Sequence, residues 1–361
     1  VAEEECHGNL TVGYGAKHAD RKIGPEYTFG IYMHKQLGEP VLIIKTAWGG
    51  KSLHTDFRPP SMGTYQLNDG QKKQCRKRGQ DAAAKQVEIN TASGRYYRLM
   101  IEHVRKVLGD IRRVYPDYDL QRGYELAGFA WFQGWNDMVD SGVYPNRDKP
   151  GGFDAYSECL GAFIRDVRKD LDAPDLPFVI GVMGVGGPLE LYKNKRIQAV
   201  HGTFRKAMAA PAEWPEFKGN VTAIHTADYW DVELGELEER WGKIKNKSRQ
   251  LNKDNKLSRE ERFQALEKYK AGIFTVKDLE LREKGISNAA YHYLGSAKIM
   301  ARIGKAFAEA LVSGGNAQYR FAFLGDLHFD RPEHHDMEWV QKEHPGDIRQ
   351  IETYCRVTRE N

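Results

Sequence analysis

The feature that most constrains this chain is a repeated switch of hydrophobic period. Four apolar runs of strand length, residues 41–44 (Val-Leu-Ile-Ile), 127–132, 178–183 and 221–224, carry almost no polar alternation. Strands that read this way are buried on both faces, as in a parallel sheet. Between them the apolar residues recur at helical spacing. Tyr97, Ile101, Val104, Leu108 and Ile111 share one face, as do Leu160, Phe163, Ile164, Val167 and Leu171. A third such face holds Ile299, Ile303, Phe307 and Leu311. Strand–helix alternation predicts a three-layer α/β fold with right-handed crossovers. A doubly wound sheet normally begins with a strand. This chain reads instead as opening on a turn, Ile23-Gly-Pro-Glu26, and a short helix over 27–37, so the first strand is expected to be missing.

Two segments interrupt the alternation. Residues 58–94 are polar, with Pro-Pro, Asn-Asp-Gly and a basic Lys-Lys-Gln-Cys-Arg-Lys-Arg run, and read as a long solvated excursion, with a pocket wall as the alternative. Residues 231–284 are dense in Glu, Lys and Arg and read as a charged helical hairpin with a solvated face. Over all 361 residues, 54 basic side chains meet 50 acidic ones, a net charge of +4. So mixed a surface calls for neither a nucleic acid nor an anionic membrane as partner. The longest near-apolar run, 178–189, is interrupted by glycines and too short to span a bilayer. Cys6, Cys75, Cys159 and Cys355 are far apart with no CxxC pair, which argues against a disulfide framework or zinc knuckle. The start, Val1 followed by Ala-Glu-Glu-Glu, reads as a processed end or a truncation.

In open α/β sheets ligands bind beyond the carboxyl ends of the strands. Those ends read Ala47-Trp-Gly-Gly-Lys-Ser52, Gln133-Gly-Trp-Asn-Asp137, Gly184-Val-Gly-Gly-Pro188 and His225-Thr-Ala-Asp228. Glycines let backbone N–H groups approach a substrate oxygen, and an Asn amide adds a further donor: the composition of an oxyanion hole. A phosphate-loop reading of Gly49-Gly-Lys-Ser52 fails because Lys45 stands where that pattern needs Gly. Asn136 and Asp137 also suit an Asx turn or a helix cap.

Four ordered blocks, Ile23-Gly-Pro-Glu26, Ile44-Lys-Thr-Ala-Trp-Gly-Gly50, Trp131-Phe-Gln-Gly-Trp-Asn-Asp137 and Tyr291-His-Tyr-Leu-Gly-Ser-Ala-Lys298, resemble the SGNH-hydrolase superfamily, in particular its sialate O-acetylesterase-like carbohydrate esterases. The resemblance covers about residues 10–312. It implies a flavodoxin-like three-layer fold, an acetylated carbohydrate as substrate, a serine esterase mechanism and no cofactor. Carried over residue by residue, Gly49 or Gly50 matches the second-block glycine, Asn136 the oxyanion Asn, and His292 the general base. No residue pattern names a compartment; the resemblance leans towards export, to the periplasm or the cell exterior.

The sequence departs from that pattern twice. No Gly-Gln-Ser-Asn block, which would carry the nucleophile, occurs in the 361 residues. The acid expected three residues before the base falls on Ala289, leaving Asn288 or Asp228 to orient the imidazole. Beyond the helix ending near residue 312, residues 316–324 read as a new strand running into Gly325-Asp-Leu-His-Phe-Asp330. Asp326 and His328 side by side would suit a divalent metal, with His334, His335 and Asp336 as further candidates. This segment resembles the opening block of calcineurin-like metallophosphoesterases. The chain is therefore expected to be an internal piece of a longer polypeptide, with an esterase domain over 1–312 and the start of a phosphoesterase domain over 313–361. Three functions compete: ester cleavage once a nucleophile is restored, metal-dependent phosphate release, or non-catalytic sugar binding by Trp48, Trp131 and Trp135.

Overall fold

The computed structural model describes residues 3–14, 23–312, 320–325 and 351–358, the last two segments and residues 3–4 as backbone only. Its strands are β1 (Glu3–Asn9), β2 (Val41–Ala47), β3 (Glu125–Trp131), β4 (Phe178–Val182), β5 (Val221–His225), β6 (Arg320–Gly325) and β7 (Ile351–Thr358). They form one sheet in the order β1-β7-β2-β6-β3-β4-β5, and all neighbours are parallel except β1 with β7.

The reading that no strand precedes the first helix is corrected. β1 does, but it lies at the sheet edge and antiparallel, where it does not enlarge the parallel core. The interior slot between β2 and β3 is occupied by β6, with Gly325 in register with Thr46 and Trp131. The run β2-β6-β3-β4-β5 thus has the 2-1-3-4-5 order of one doubly wound class, with β6 in the place of the first strand. Residues 320–325 and 351–358, expected to begin a further unit, are hydrogen-bonded into this same sheet. β5, expected to be fully buried, is the opposite edge strand, where Val221 is buried but Thr222 and His225 are exposed.

Helices cover both faces. Successive residues of a strand point to opposite sides. A Cβ on Gly128 would strike Leu311 of α11 (Ala297–Val312), whereas Phe129 meets Phe163 of α6 (Asp154–Asp170) at 5.9 Å between rings. α1 (Glu26–Leu37) joins α11 through the hydroxyl of Thr28, which donates to the Ala301 carbonyl at 2.9 Å. On the other face, α4 (Arg95–Gly109) meets α6 through Tyr97 and Phe163, and α7 (Lys195–Ala209) meets it through Phe204 and Tyr156. Trp48 and Trp131 are almost wholly enclosed in this core. A buried ion pair lies within it: Lys45 Nζ of β2 is 3.2 Å from Glu26 and donates to the Tyr14 carbonyl, while Glu26 accepts from Gly24 N–H at 3.0 Å.

Both interruptions are helical. Residues 58–94 contain α2 (Asp69–Lys77) and α3 (Ala82–Ala92) rather than a plain loop, the first begun by a reciprocal Asn68–Gln71 capping box. The charged segment is three helices, α8 (Val232–Lys253), α9 (Arg259–Ala271) and α10 (Val276–Gly285), not a two-helix hairpin. Capping boxes at Ser258 and Thr275 start the latter two and explain the extra break. No helix among the described residues is long and apolar enough to cross a membrane.

Candidate active site

A cavity of about 460 Å³ opens beyond the carboxyl ends of β2, β3 and β4. Gly49, Gly50, Asn136 and His292 all line it. Gly50 has φ +73°, a left-handed conformation that glycine adopts without steric cost, and so turns the chain sharply after β2. Asn136 sits half-buried in the first turn of α5 (Trp135–Val139), directly after β3.

The carboxylate of Asp137 fixes the turn after β2. Fully buried, it accepts from Leu53 N–H at 2.7 Å, His54 N–H at 3.1 Å, Gln133 Nε2 at 2.7 Å and Tyr144 Oη at 3.2 Å. Gln133 Nε2 also donates to the Lys51 carbonyl at 2.9 Å. Two side chains at the end of β3 therefore grip residues 51–54. The nearby Tyr144 hydroxyl is pushed well above its usual range by burial first and by the Asp137 charge second. Ser52 faces away from this chemistry: its hydroxyl donates to Asp56 at 2.9 Å within the same turn, and it does not line the cavity.

His292 enters from the segment ahead of α11. Its own N–H donates to the Ala289 carbonyl at 2.9 Å, and its ring meets the edge of Tyr291 at 4.4 Å. The next two residues, Tyr293 (φ +52°) and Leu294 (φ +62°), are left-handed without being glycine, which costs roughly 1–3 kcal/mol each. A hydrogen-bond relay holds them. Gly184 N–H donates to Tyr293 Oη at 2.8 Å, and Thr226 Oγ1 donates to the Val182 carbonyl at 2.7 Å. The Thr226 proton is thereby used, so Tyr293 donates to Thr226 across their 2.7 Å contact. Burial pushes the Tyr293 hydroxyl up to about 12, and it stays a donor at any physiological pH. The Leu294 carbonyl accepts from both Ser287 N–H at 2.9 Å and Asn288 N–H at 3.0 Å. At Gly184 an added Cβ would overlap the backbone of Ala227, so only glycine lets the ends of β4 and β5 approach this closely.

The remaining expected residues lie elsewhere. Asp228, expected to orient the base, is exposed and lines a separate depression with His225 and Arg205. Asn288 does not line the cavity, and its Oδ1 accepts from the adjacent Ala289 N–H at 2.6 Å. Of the three tryptophans expected in a sugar pocket, only Trp135 lines the cavity; Trp48 and Trp131 belong to the core. The Trp135 ring lies 5.4 Å from that of Tyr291, which also lines the cavity, tilted by 31°. Asp326, His328, His334, His335 and Asp336 lie outside the described residues. The excursion over 58–94 contributes nothing to the lining.

The residues not anticipated are Gln133, Asp137, Tyr291 and Tyr293. Each stands inside a quoted motif. The available signal was a fully ionisable carboxylate placed just after a wholly apolar strand.

The arrangement is one of hydrogen-bond donors and an imidazole around a half-open cavity, at the rim where α/β enzymes bind substrate. The family of carbohydrate esterases described as sialic acid-specific acetylesterase matches residues 2–237. That is well over half of the chain. The chain belongs to this family. No curated protein and no solved structure matches it. The span matched in the acetylesterase family includes Gly49, Gly50 and Asn136 and ends before His292. Membership identifies an acetylesterase-type hydrolase family whose substrates are acetylated sugars.

Proposed function

We propose that this chain supplies the oxyanion hole and the general base of a carbohydrate O-acetylesterase. The observation that carries the reading is that Gly49, Gly50, Asn136 and His292 line a single cavity although they are distant in sequence. In this reading the acetylated sugar stacks on Trp135 and Tyr291, with its ester carbonyl between the Gly49–Gly50 turn and the Asn136 amide. A serine hydroxyl forms a bond to the carbonyl carbon while His292 takes its proton. The tetrahedral oxyanion is held by the backbone N–H groups and Asn136. Collapse breaks the bond to the sugar oxygen, which receives the proton from His292. Water then attacks the acyl-enzyme by the same route and releases acetate.

Among the described residues, no Ser, Thr or Cys lines the cavity. The reading assigns the nucleophile to a Gly-Gln-Ser-Asn type segment that is not among these 361 residues. The test is turnover of an aryl acetate. The chain alone should hydrolyse it near the background rate, unchanged by Ser52→Ala. A longer polypeptide carrying the nucleophile segment should be active. In it, Asn136→Ala should lower turnover roughly 100- to 1,000-fold, as loss of one oxyanion donor does. His292→Ala should cost more, because base and acid are lost together. Wild-type turnover in His292→Ala, or rapid turnover by the chain alone that Ser52→Ala abolishes, would overturn the reading.

A further inference from the structure

The four cysteines are far apart in sequence, but the sheet brings two of them opposite each other. β1 and β7 pair antiparallel in a register that sets Cys6 against Cys355, with Glu5 opposite Arg356 and His7 opposite Tyr354. On the far side of β7 the same row continues into β2, where Lys45 is level with Cys355. Cys75 and Cys159 are buried thiols on the helices α2 and α6.

Two side chains fix the face on which this row lies. Residues level with each other on neighbouring strands share a face of the sheet, and successive residues of one strand alternate between faces. Cys6 packs against the buried Tyr14. Lys45 Nζ donates to the carbonyl of that same Tyr14 and pairs with Glu26 of α1 at 3.2 Å. The two flanking members of the row are thus on the α1 face, which places Cys355, between them in register, on that face too. The neighbouring row agrees. Glu5 reaches the opposite face, where it pairs with Lys106 of α4 at 2.8 Å and with Arg113 just beyond that helix.

Directly opposed residues of an antiparallel pair have Cα atoms about 4.5–5.5 Å apart. A disulfide joins residues whose Cα atoms are about 4.4–6.8 Å apart. β1 is an edge strand bonded to β7 alone, so it can make the small approach that a sulfur–sulfur bond requires without disturbing another strand. Cys6 is half-buried rather than enclosed, which leaves it open to a small oxidant from the sheet edge.

We infer that Cys6 and Cys355 form a disulfide that staples β1 to β7 in an oxidising environment. The co-reactant is a low-molecular-weight disulfide such as oxidised glutathione. One cysteine thiolate attacks it, forming a mixed disulfide and releasing one small thiol. The other thiolate then attacks the cysteine sulfur of that mixed disulfide and releases the second. The two cysteines lose two protons and two electrons, and the small disulfide is reduced to two thiols. The bond closes a loop that contains every residue lining the cavity, and it anchors β7, the neighbour of the strand that leads into the Gly49–Gly50 turn. The inference stands on the sheet register and not on the chemistry assigned to the cavity.

The test is peptide mapping by mass spectrometry of the 361-residue chain, equilibrated at neutral pH with oxidised and reduced glutathione and then alkylated in denaturant. A linked Cys6–Cys355 peptide, lighter than its two parts by two hydrogens, should appear in the monomer, with Cys75 and Cys159 alkylated. Oxidation should raise the midpoint of thermal unfolding by about 3–5 °C, a typical disulfide effect spread over a chain of this length. The rise should vanish in Cys6→Ala and, separately, in Cys355→Ala, with circular dichroism to check that both are folded. Register is tested apart from mere proximity: Cys355→Ser combined with Arg356→Cys moves the second thiol opposite Glu5, to the other face, and the link should be lost. Alkylation of both Cys6 and Cys355 in the oxidised, folded chain would overturn the inference. So would a link from either of them to Cys75, Cys159 or a second molecule in place of the internal one, a link that forms equally in the shifted variant, or a link that leaves the midpoint unchanged.

Discussion

Replacing Asp137 tests whether the turn after β2 is held by the carboxylate it faces. Each hydrogen bond to a charged group contributes roughly 1.5–3 kcal/mol, and each buried donor left without an acceptor costs about 1–3 kcal/mol. Asp137→Ala strands Leu53 N–H and the Tyr144 hydroxyl, both in buried contacts, and leaves Gln133 Nε2 with the Lys51 carbonyl. Water entering the space left by the carboxylate offsets part of this, and a net loss of about 3–5 kcal/mol is expected, as for other broken buried charge networks. Asp137→Asn should be milder. Its amide oxygen can keep the two 2.7 Å bonds from Leu53 and Gln133, while its NH2 donates to the Tyr144 oxygen. Only the bond from His54 N–H is lost, so about 1–2 kcal/mol is expected. Urea unfolding measures both losses, and hydrogen exchange at the Leu53 and His54 amides shows whether the turn has loosened. Equal stability of the Ala and Asn variants, or unchanged exchange at both amides in Asp137→Ala, would refute the reasoning.

Two further predictions concern stability. Lys45→Met leaves Glu26 buried with only the Gly24 N–H and should cost about 3–5 kcal/mol, whereas adding Glu26→Leu to it should recover much of the loss; a double variant no more stable than the single one in urea would contradict this. His103 and His201 both have their pKa lowered to about 4, chiefly by burial. The unfolded chain takes up protons near the ordinary value of about 6.5 that these folded rings refuse. Their contribution to stability should therefore be constant above that value, fall as pH drops from about 6.5 to about 4, and level off below. Each ring accounts for roughly 3–4 kcal/mol at about 1.4 kcal/mol per pH unit. Urea midpoints measured across that window, with and without His103→Phe, should show a shallower fall in the variant; the same slope in both would refute it.

Much of the architecture was legible because it follows from hydrophobic period. The unalternating runs at 41–44, 127–132 and 178–183 are interior parallel strands, and the three helical faces became α4, α6 and α11. The run at 221–224 has the same composition but is an edge strand, since composition does not say which end of the strand order a run occupies. The breaks within 231–284 were hidden by uniform charge, although Ser258-x-x-Glu261 and Thr275-x-x-Asp278 are visible capping signals. Trp48 and Trp131 misled for a physical reason: both stand at strand ends, yet each ring turns back into the core, where it packs against Phe57. Asp228 shares a strand-end position with the cavity residues but projects from the sheet edge into another depression. The cavity residues were found because each stands at a strand end or just before a helix; their supports were not, because Asp137 and Tyr293 act on partners 84 and 67 residues away.

The supports also explain how the turn after β2, which the proposed function makes part of the oxyanion hole, is held in place by side chains. β2 and β3 are not neighbours; one strand, β6, separates them. The Gln133 and Asp137 contacts to residues 51–54 therefore run from the end of β3 to the turn after β2 across the top of that intervening strand. Whatever strand fills the slot ends beneath this bridge, between the Gly49–Gly50 turn and Asn136. β6 reaches Gly325 level with Thr46 and Trp131, three residues before Gly49 and two before Gln133 of the cavity lining. In the proposed mechanism, donors already fixed by side-chain bridges need no rearrangement to meet the oxyanion as it forms. Preorganisation of this kind is the property on which oxyanion stabilisation depends. It also separates two effects that mutation can distinguish: changes at Asp137 should alter how firmly the donors are held, while changes at Asn136 should remove a donor from a turn that remains in place.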